Sequence, residues 1–369
     1  MSSIKAAVST GSKESGKLVT ITDIDFPTIE DNQLLFKAVA YAANPTDWKH
    51  AVYDLGSPGS IYGTDASGII VKVGKNVKGF EVGDYVSTFM HGNQSNKRGA
   101  FSQYIIADPD TTIKYNKASF NNNPLPVGTT ASSKIRTFES AATATLSLGT
   151  VAVSFADGLK ISEDKEENSQ RYILIWGGAT ATGIYAIQIA KLVYGLKVIT
   201  TSSPQHHEFL KTLGADEVFD YRSPNVVGSI IESANGEIYY ALDTVSTKES
   251  YQQTYDSTKG SKKVAFDNLS GVFGNDIVTD PTRTLDTFTA TASYLADGRK
   301  HHMGATEYVP SEEFLRRYRH FWYDLLPPHI EELKTPNLIV LSSGLESTSE
   351  ALELLREDKV RGGKVVFRA

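Results

Sequence analysis

One stretch in the middle of the chain constrains the fold more than any other. A continuous apolar run, Tyr172 to Trp176, leads into a glycine-rich turn, Gly177 to Gly183, and then into an amphipathic helical pattern, Ile184 to Tyr194. Apolar strands that alternate with helices indicate an α/β fold with a doubly wound parallel sheet of the Rossmann type. The alternation continues, with strands predicted over 196–201, 217–219, 239–242 and 263–266 and a helix over 204–213.

The glycine-rich turn predicts a phosphate-binding site. Between a strand and a helix, glycines let backbone N–H groups approach the pyrophosphate of a dinucleotide at the positive end of the helix. Glycines also occur in such turns for steric reasons alone, so the prediction of a dinucleotide site depends on the βαβ unit around this turn. We therefore predict a dinucleotide-binding loop made of Gly177, Gly178, Ala179, Thr180, Ala181, Thr182 and Gly183.

The end of the second strand bears on which dinucleotide binds. Folds that select NAD place a carboxylate there for the ribose 2′-hydroxyl, whereas this chain reads Thr200-Thr201-Ser202-Ser203. Hydroxyl, imidazole and guanidinium groups nearby can donate to a 2′-phosphate, so the sequence favours NADP(H) over NAD(H). The candidates are Ser202, Ser203, His206, Tyr221 and Arg222. The alternative is an ordinary turn, with Ser203 as the N-cap of the helix at Pro204.

The regions on either side of this unit have other patterns. Short β-branched or aromatic runs, separated by Gly, Pro and Asn, predict strands over 5–9, 34–42, 69–73 and 85–89. Residues 140–155 are predicted to be helical, and the acidic segment 162–170 to be an exposed loop. Near the C-terminus we predict a Ser311-capped helix that ends near Leu326, a second helix that starts with a Ser347–Glu350 capping box, and a strand over 364–368.

Composition excludes several classes of function. The 43 acidic residues outnumber the 37 basic ones, so the positive field that attracts nucleic acid is missing. The chain has no cysteine, which rules out disulfides, a thiolate nucleophile and any cysteine-based zinc site. No segment approaches the roughly 18 apolar residues of a membrane helix, and the N-terminus lacks a secretory signal. We expect a soluble cytoplasmic protein, with a nuclear location left open, and neither nucleic acid nor membrane as a partner.

Four motifs outside the main strand and helix pattern carry a family resemblance. Together with the glycine turn, these motifs make the chain resemble the medium-chain dehydrogenase/reductase superfamily over nearly its whole length. This resemblance implies a β-rich, GroES-like catalytic domain over 1–130, completed by 296–369, and a Rossmann NADP-binding domain over 131–295. The motifs are Asn44-Pro45-Thr46-Asp47, Gly63 to Gly68 continuing into Val73 to Val77 and Gly83 to Val86, Gly99 to Tyr104, and the final Gly362 to Val366.

Two positions separate this chain from the zinc enzymes of that superfamily. Where those enzymes have a Cys and a His as zinc ligands, this chain has Asn44 and Thr64, and it lacks the four-Cys structural zinc lobe. No metal site is therefore expected. The resemblance narrows to zinc-independent quinone, enone and enoyl reductases, and among these the chain looks like the fungal trans-acting enoyl reductases and their yeast relatives.

The resemblance also implies candidate site residues. Lys49 is expected near the substrate, as an oxyanion donor or as a group that positions a thioester; a plain surface lysine is the alternative. Asn44 is expected to face the nicotinamide and to hydrogen-bond substrate or ribose, and Tyr53 is a weaker candidate acid. Trp48, Ser147 and Thr150 are expected on the substrate side. Cofactor contacts are expected at Asp243, Val245, Phe288, Thr289 and Ala290.

Other polar residues are expected to be structural. Adjacent histidines rarely converge on one ligand, so the pairs His206-His207 and His301-His302 are interpreted as surface residues. Asp47 and Asp65 are expected to hold turns. The walls of a substrate pocket would come from the loops 53–62, 91–98 and 294–309, which carry no motif that identifies a substrate.

These observations predict a zinc-independent, NADPH-dependent reductase of an activated C=C or carbonyl group. The substrate would be a small molecule: an enone, enal, quinone, aldehyde or enoyl thioester. One alternative is an aldehyde or alcohol oxidoreductase with a proton relay through Lys49 or Tyr53. Another is a non-catalytic regulatory protein that binds NADPH. The family implies a monomer or a homodimer.

Overall fold

The fold is taken from a computed structural model that describes residues 3–235, 238–270, 276–283, 287–290, 293–303 and 306–369. The chain divides into two compact units. The first unit comprises 1–146, 294–310 and 335–369, and the second comprises 147–293 and 311–334. In this division the segment 311–334 groups with the second unit. The domain bounds expected from the sequence stay a prediction.

The first unit is built on a mostly antiparallel sheet with the strand order β7-β5-β4-β3-β18-β17-β8, in which β6 also pairs with β3. Small hairpins, β1 with β2 and β15 with β16, accompany it. Its core contains Phe36, Tyr41, Phe101 and Phe367. The strands are β1 Ser3–Ser9, β2 Val19–Asp25, β3 Leu34–Ala42, β4 Asp65–Val73, β5 Tyr85–Phe89, β6 Tyr104–Ala107, β7 Thr112–Tyr115, β8 Gly128–Thr130, β15 His301–Met303, β16 Thr306–Tyr308, β17 Asn337–Val340 and β18 Gly363–Arg368.

The second unit contains a parallel sheet with the strand order β11-β10-β9-β12-β13-β14. The first strand of the unit, β9, lies between β10 and β12, which is the doubly wound order of dinucleotide-binding domains. Both predicted parts of the fold class, the β-rich GroES-like unit and the Rossmann sheet, are confirmed. The strands are β9 Tyr172–Trp176, β10 Lys197–Ser202, β11 Glu217–Asp220, β12 Ile238–Asp243, β13 Ala265–Asn268 and β14 Thr287–Ala290.

Helices surround these sheets. None in the described residues combines the length and the apolar character needed to cross a membrane. The α-helices are α1 Pro45–Val52, α2 Phe138–Ala142, α3 Thr145–Val153, α4 Lys165–Asn168, α5 Ala181–Leu192, α6 His207–Thr212, α7 Val226–Ala234, α8 Lys248–Asp256, α9 Glu312–His320 and α10 Ser347–Arg356. Wider π turns continue α3 over Ser154–Gly158 and α9 over Phe321–Leu325.

Three local predictions are wrong in detail. The region 140–155 is interrupted between α2 and α3, where the Oγ1 of Thr143 donates back to the carbonyl of Ser140. The acidic segment contains the short helix α4, because Asn168 is fully buried and donates to two backbone carbonyls. Helix α10 begins after Glu346, and the Ser347 hydroxyl donates to the Ser342 carbonyl instead of forming a capping box. By contrast, the Ser311 cap of α9 is confirmed by its bond from the Phe314 N–H.

Candidate functional site

The predicted catalytic residues lie in helix α1 (Lys49) and at its two ends (Asn44 and Tyr53). Asn44 precedes the helix in an extended conformation, and Pro45 supplies a fixed φ where no N–H is needed. The carboxylate of Asp47 accepts a hydrogen bond from the Asn44 backbone N–H at 2.8 Å. This local capping fixes the start of a two-turn helix, so that the side chains from 46 to 50 project at defined angles.

Asn44 lies in a buried polar network and is only 6% exposed. Its side-chain nitrogen Nδ2 donates to Thr64 Oγ1 at 2.9 Å and to Asp65 Oδ2 at 3.0 Å. The same Asp65 oxygen lies 2.8 Å from Lys364 Nζ, and Asp65 Oδ1 accepts from the Leu146 N–H. Both amide protons of Asn44 are therefore used within the protein. Any bond from Asn44 to a ligand has to involve its oxygen as an acceptor.

Asp47 is fully buried beside this network. Burial raises the pKa of Asp47 to about 7, although the Asn44 backbone N–H stabilises the ionised form and opposes the shift. Its second oxygen, Oδ1, has no hydrogen-bond partner among the described residues. Asp47 and Asp65 thus hold the turns around α1, which agrees with the structural role expected from the sequence.

Lys49, Trp48 and Tyr53 lie along the same helix and its end. The Lys49 side chain is half-buried, and burial lowers the pKa of its ammonium group below the ordinary value. Within the described part of the chain, no carboxylate or other acceptor pairs with Lys49 Nζ. The rings of Trp48 and Tyr53 lie 6.0 Å apart, and Tyr53 is 59% exposed.

The glycine turn lies at the carboxyl end of β9 in the second unit. Gly177 has a φ of +83°, which favours glycine. A Cβ on Gly178 would lie 2.2 Å from Thr200 Oγ1, and one on Gly183 would lie 2.4 Å from the Gly177 carbonyl oxygen. These glycines let the turn and the start of α5 approach the sheet closely, which is the packing role of glycine in a dinucleotide fold.

The start of α5 offers free backbone donors. Thr180 caps the helix by accepting from the Gly183 N–H at 3.0 Å, and its hydroxyl donates to Thr244 Oγ1 at 2.9 Å. In the described ranges, the N–H groups of Ala179, Ala181 and Thr182 have no acceptor. Unpaired N–H groups at a helix N-terminus favour an anion such as a diphosphate, so these residues fit a dinucleotide.

The end of β10 contains a feature that sequence reasoning missed. Ser202 pairs in register with Asp220 on the neighbouring strand β11, so a carboxylate does lie near the predicted phosphate contacts. Arg222 binds Asp220 through Nε–Oδ1 at 3.0 Å and Nη2–Oδ2 at 3.1 Å, and it lowers the pKa of Asp220. Because the two charges cancel, the corner carries no net repulsion toward a phosphate. That Asp220 lies beside Ser202 follows only from the register between β10 and β11.

The other predicted contacts around β10 lie close together. The Ser202 hydroxyl donates to the Ser203 carbonyl, and Ser203 precedes the helical turn at Pro204 without a side-chain cap bond. His206 is partly exposed, and burial lowers its pKa. Tyr221 is 43% exposed, with the Arg222 guanidinium 5.6 Å from its ring centroid. Hydroxyl, imidazole and guanidinium groups therefore share one corner of the second unit.

The remaining predicted residues have separate roles. Asp243 is buried and accepts from the N–H groups of Val245 and Ser246 and from the Ser250 hydroxyl, and burial raises its pKa. It therefore shapes the turn after β12, which leaves Val245 46% exposed. Ser147 and Thr150 are buried on α3. Phe288, Thr289 and Ala290 belong to β14, but their side chains lie outside the described residues.

One expectation about histidines is wrong. His301 is not a surface residue, since its side chain is 13% exposed and its ring binds both His91 and Asp297. Its neighbour His302 is 60% exposed, as expected. The contact with His91 spans 210 positions of sequence, so no local pattern could have revealed it. No group of three or more His, Cys, Asp or Glu residues that could hold a metal occurs in the described ranges.

Comparisons with known proteins agree with both units. Residues 30–117 match the alcohol dehydrogenase GroES-like domain, and residues 181–266 match the zinc-binding dehydrogenase family. Trans-enoyl reductase resD of Aspergillus sclerotiorum is 33% identical over 376 residues, covering 96% of this chain and 97% of that protein. An uncharacterized protein of Saccharomyces cerevisiae is 32% identical over 366 residues, covering 96% of this chain and 95% of that protein.

Solved structures share the fold over the whole chain. The quinone oxidoreductase from Coxiella burnetii covers 100% of both chains, with a TM-score of 0.66 at 22% identity. The CurK enoyl reductase covers 99% of both, with a TM-score of 0.71 at 18% identity. A GroES-like unit joined to a Rossmann unit defines an oxidoreductase that uses a nicotinamide cofactor. The chain belongs to the medium-chain dehydrogenase/reductase family, among its enoyl reductase-like members, which confirms the predicted family.

Proposed function

We propose that the protein is an NADPH-dependent reductase that reduces an activated C=C or carbonyl group without zinc. The acceptor class comprises enones, enals, quinones, aldehydes and enoyl thioesters. Whole-chain similarity to trans-enoyl reductases supports a conjugated C=C as the reduced group. The observation that carries the proposal is the polar network around Asn44, because its chemistry determines how charge on the acceptor can be stabilised.

The Asn44 network lacks the ligand chemistry of zinc. Zinc binds through thiolate, imidazole or carboxylate lone pairs. Here the Asn44 nitrogen points N–H protons at Thr64 and Asp65, and the Asp65 carboxylate already faces the Lys364 ammonium at 2.8 Å. An internal lysine therefore supplies the positive charge at this position. We propose that charge on the acceptor is stabilised by side-chain donors instead of a metal ion.

The second unit would hold the cofactor. The free N–H groups of Ala179, Ala181 and Thr182 suit the diphosphate, and Ser202, Ser203, His206, Tyr221 and Arg222 suit a ribose 2′-phosphate. When bound, NADPH supplies the hydride. Arg222 can bind the 2′-phosphate only if its guanidinium releases the Asp220 carboxylate or binds both groups at once.

Lys49 is the proposed donor to the acceptor. It is the half-buried cation of α1 without a partner in the described ranges, and its lowered pKa brings proton release closer to neutral pH. Asn44 is proposed to accept a hydrogen bond from substrate or ribose, and Trp48, Ser147 and Thr150 to contact the substrate. Tyr53 remains the weaker candidate acid, since it is mostly exposed.

The test compares acceptors and variants at saturating NADPH. Oxidation of NADPH by an enone or a quinone, with little turnover of a saturated aldehyde, supports the proposal; the reverse order favours the alcohol or aldehyde oxidoreductase. Lys49→Met should lower turnover by about 100-fold. Lys72→Met, an exposed lysine on β4, is the matched control and should keep full activity. Stabilisation by NADPH without turnover of any acceptor would indicate a binding protein instead.

The cytoplasmic location and the monomeric or homodimeric state stay predictions. Light scattering of the purified chain at micromolar concentration distinguishes the two oligomeric states. Imaging of the tagged chain in cells tests its location.

A further inference from the structure

The corner between strands β10 and β11 of the second unit contains an ion pair with two parallel hydrogen bonds. Arg222 donates through Nε to Asp220 Oδ1 at 3.0 Å and through Nη2 to Asp220 Oδ2 at 3.1 Å. The carboxylate therefore occupies one whole edge of the planar guanidinium. The same guanidinium lies 5.6 Å from the centroid of the Tyr221 ring. Asp220 is thus the counter-ion of Arg222.

The backbone of this corner also uses Asp220. Its Oδ1 accepts from the Arg222 backbone N–H at 3.1 Å, and its carbonyl accepts from the Ser223 N–H at 3.0 Å. An Asx turn of this kind needs one side-chain oxygen as an acceptor, and asparagine supplies that oxygen as well as aspartate does. The turn therefore explains an Asp or an Asn at position 220, but it does not explain the negative charge.

The strand register places this charge where the ribose of a dinucleotide is expected. Ser202, the last residue of β10, pairs in register with Asp220 on β11. The carboxyl end of this strand is the position at which dinucleotide folds recognise the adenosine ribose. The side chain of Asp220 is 28% exposed and that of Arg222 is 58% exposed, so a ligand can reach both. A 2′-phosphate that binds here would meet the guanidinium and the carboxylate together.

Arg222 is the permanent cation among the residues predicted to hold the 2′-phosphate. The Ser202 hydroxyl is buried and donates to the Ser203 carbonyl, so its proton is already used. Burial, together with the neighbouring His207, lowers the pKa of His206, so the His206 ring is neutral at pH 7. The charge of Asp220 therefore determines whether this corner is neutral or positive.

Asp220 and a 2′-phosphate compete for the same donors. Phosphate binds arginine best through two parallel N–H groups, and Asp220 already accepts from the Nε and Nη2 edge. A phosphate at the other edge of the guanidinium would lie close to the Asp220 carboxylate, and the two negative charges would repel each other. The carboxylate opposes the 2′-phosphate in both arrangements. The ribose 2′-hydroxyl of NADH carries no charge and does not meet this opposition.

We propose that Asp220 is a specificity-determining residue, which limits the preference for NADPH over NADH by competing with the 2′-phosphate for Arg222. The inference rests on the proposed function, which takes NADPH as the cofactor. The apparent affinity for a ligand falls in proportion to the fraction of the protein that is free to bind it. An exposed ion pair changes an equilibrium constant by up to about fivefold, so the pair with Asp220 weakens NADPH binding by about that factor.

Asp220→Asn tests this competition, because it keeps the acceptor of the Asx turn and removes only the charge. Fluorescence titration should show a Kd for NADPH that is about fivefold lower than that of wild type, with the Kd for NADH changed by less than about twofold. Glu249→Gln removes the same charge from an exposed position on α8 and should leave both Kd values unchanged. Weaker NADPH binding by Asp220→Asn would overturn the proposal, since it would show that Asp220 positions Arg222 for the phosphate.

A double-mutant cycle shows whether the effect acts through Arg222. The Arg222→Gln variant has no guanidinium to release, so adding Asp220→Asn to it should change the Kd for NADPH by less than about twofold. A gain of about fivefold in that background would contradict competition for Arg222.

Two fragments of the cofactor isolate the 2′-phosphate. Adenosine 2′,5′-bisphosphate contains this group, whereas adenosine 5′-monophosphate lacks it. Calorimetric titration should show that Asp220→Asn lowers the Kd of the bisphosphate by about fivefold and leaves that of the monophosphate unchanged. An equal gain for both fragments would place the effect elsewhere on the nucleotide and contradict the inference.

These binding measurements separate the role of Asp220 from the proposed reductase activity. If NADPH binds but no acceptor is reduced, the proposed function fails, and the Kd values still decide the role of Asp220. If the wild-type protein reduces an acceptor but Asp220→Asn keeps the wild-type Kd for NADPH, the inference about Asp220 fails alone. Failure of the wild-type protein to bind either nucleotide would contradict both.

Discussion

Two neighbouring histidine rings, His50 and His91, whose centroids lie 5.2 Å apart, should make the protein unusually sensitive to mild acid. His91 has its pKa lowered by burial, and further by His50 and His301, from 6.5 to about 3. Below pH 6.5 the unfolded chain therefore binds a proton that the folded protein does not accept. Stability is complete above this pH and is lost as the pH falls toward 3, because the unfolded state is favoured by proton uptake.

The size of the effect follows from the two pKa values. Each pH unit between 6.5 and 4 costs about 1.36 kcal/mol, so His91 alone removes about 3 kcal/mol of unfolding free energy between pH 7 and pH 4. His50, with its pKa lowered to about 4, acts in the same direction. The two rings are neighbours, so their losses are coupled and do not simply add.

Urea unfolding at pH 7, 5.5 and 4 measures this loss. His91→Phe removes the titrating group but keeps the ring that stacks on Tyr294, so its loss between pH 7 and pH 4 should be about 3 kcal/mol smaller than that of wild type. The control His302→Phe removes an exposed imidazole and should lose as much as wild type. An equal loss in His91→Phe and wild type would show that His91 does not keep a lowered pKa in the folded protein.

Three further predictions concern other parts of the two units. Lys364→Met leaves Asp65 buried without its cation and should lower the free energy of unfolding by about 3 to 5 kcal/mol, measured by urea denaturation. Gly178→Ala places a Cβ 2.2 Å from Thr200 Oγ1; thermal unfolding should show a loss of about 1 to 3 kcal/mol, and a wild-type melting curve would contradict the close packing. Arg222→Gln should weaken NADPH binding about tenfold in a fluorescence titration while NADH binding is unchanged; an equal effect on both nucleotides would show that Arg222 does not contact the 2′-phosphate.

Local patterns made much of the fold predictable. The sheet of the second unit follows from apolar strands separated by helices, and the Ser311 cap from a bond to Phe314 only three residues away. The glycine turn could be predicted because the strand before it and the helix after it are contiguous in sequence and form one βαβ unit. The Ser347 prediction failed because the Ser342 carbonyl competed for its hydroxyl, and that contact depends on the preceding turn.

Long-range contacts explain what the sequence could not show. The register that places Asp220 beside Ser202 is set between strands, and the pairing of Lys364 with Asp65 joins residues 299 positions apart. The same is true of His91 and His301, which looked like unrelated loop residues. Residue types and short spacings identify candidate site residues such as Asn44 and Lys49, but whether a side chain is paired or free depends on distant partners.

The most direct test of the account is a titration of the purified protein with NADPH and with NADH, followed by nucleotide fluorescence, and then addition of an enone to the complex. NADPH is expected to bind much more tightly than NADH, and the enone is expected to oxidise the bound NADPH. Failure of both nucleotides to bind, or equal binding of both with no oxidation, would contradict the proposed NADPH-dependent reductase.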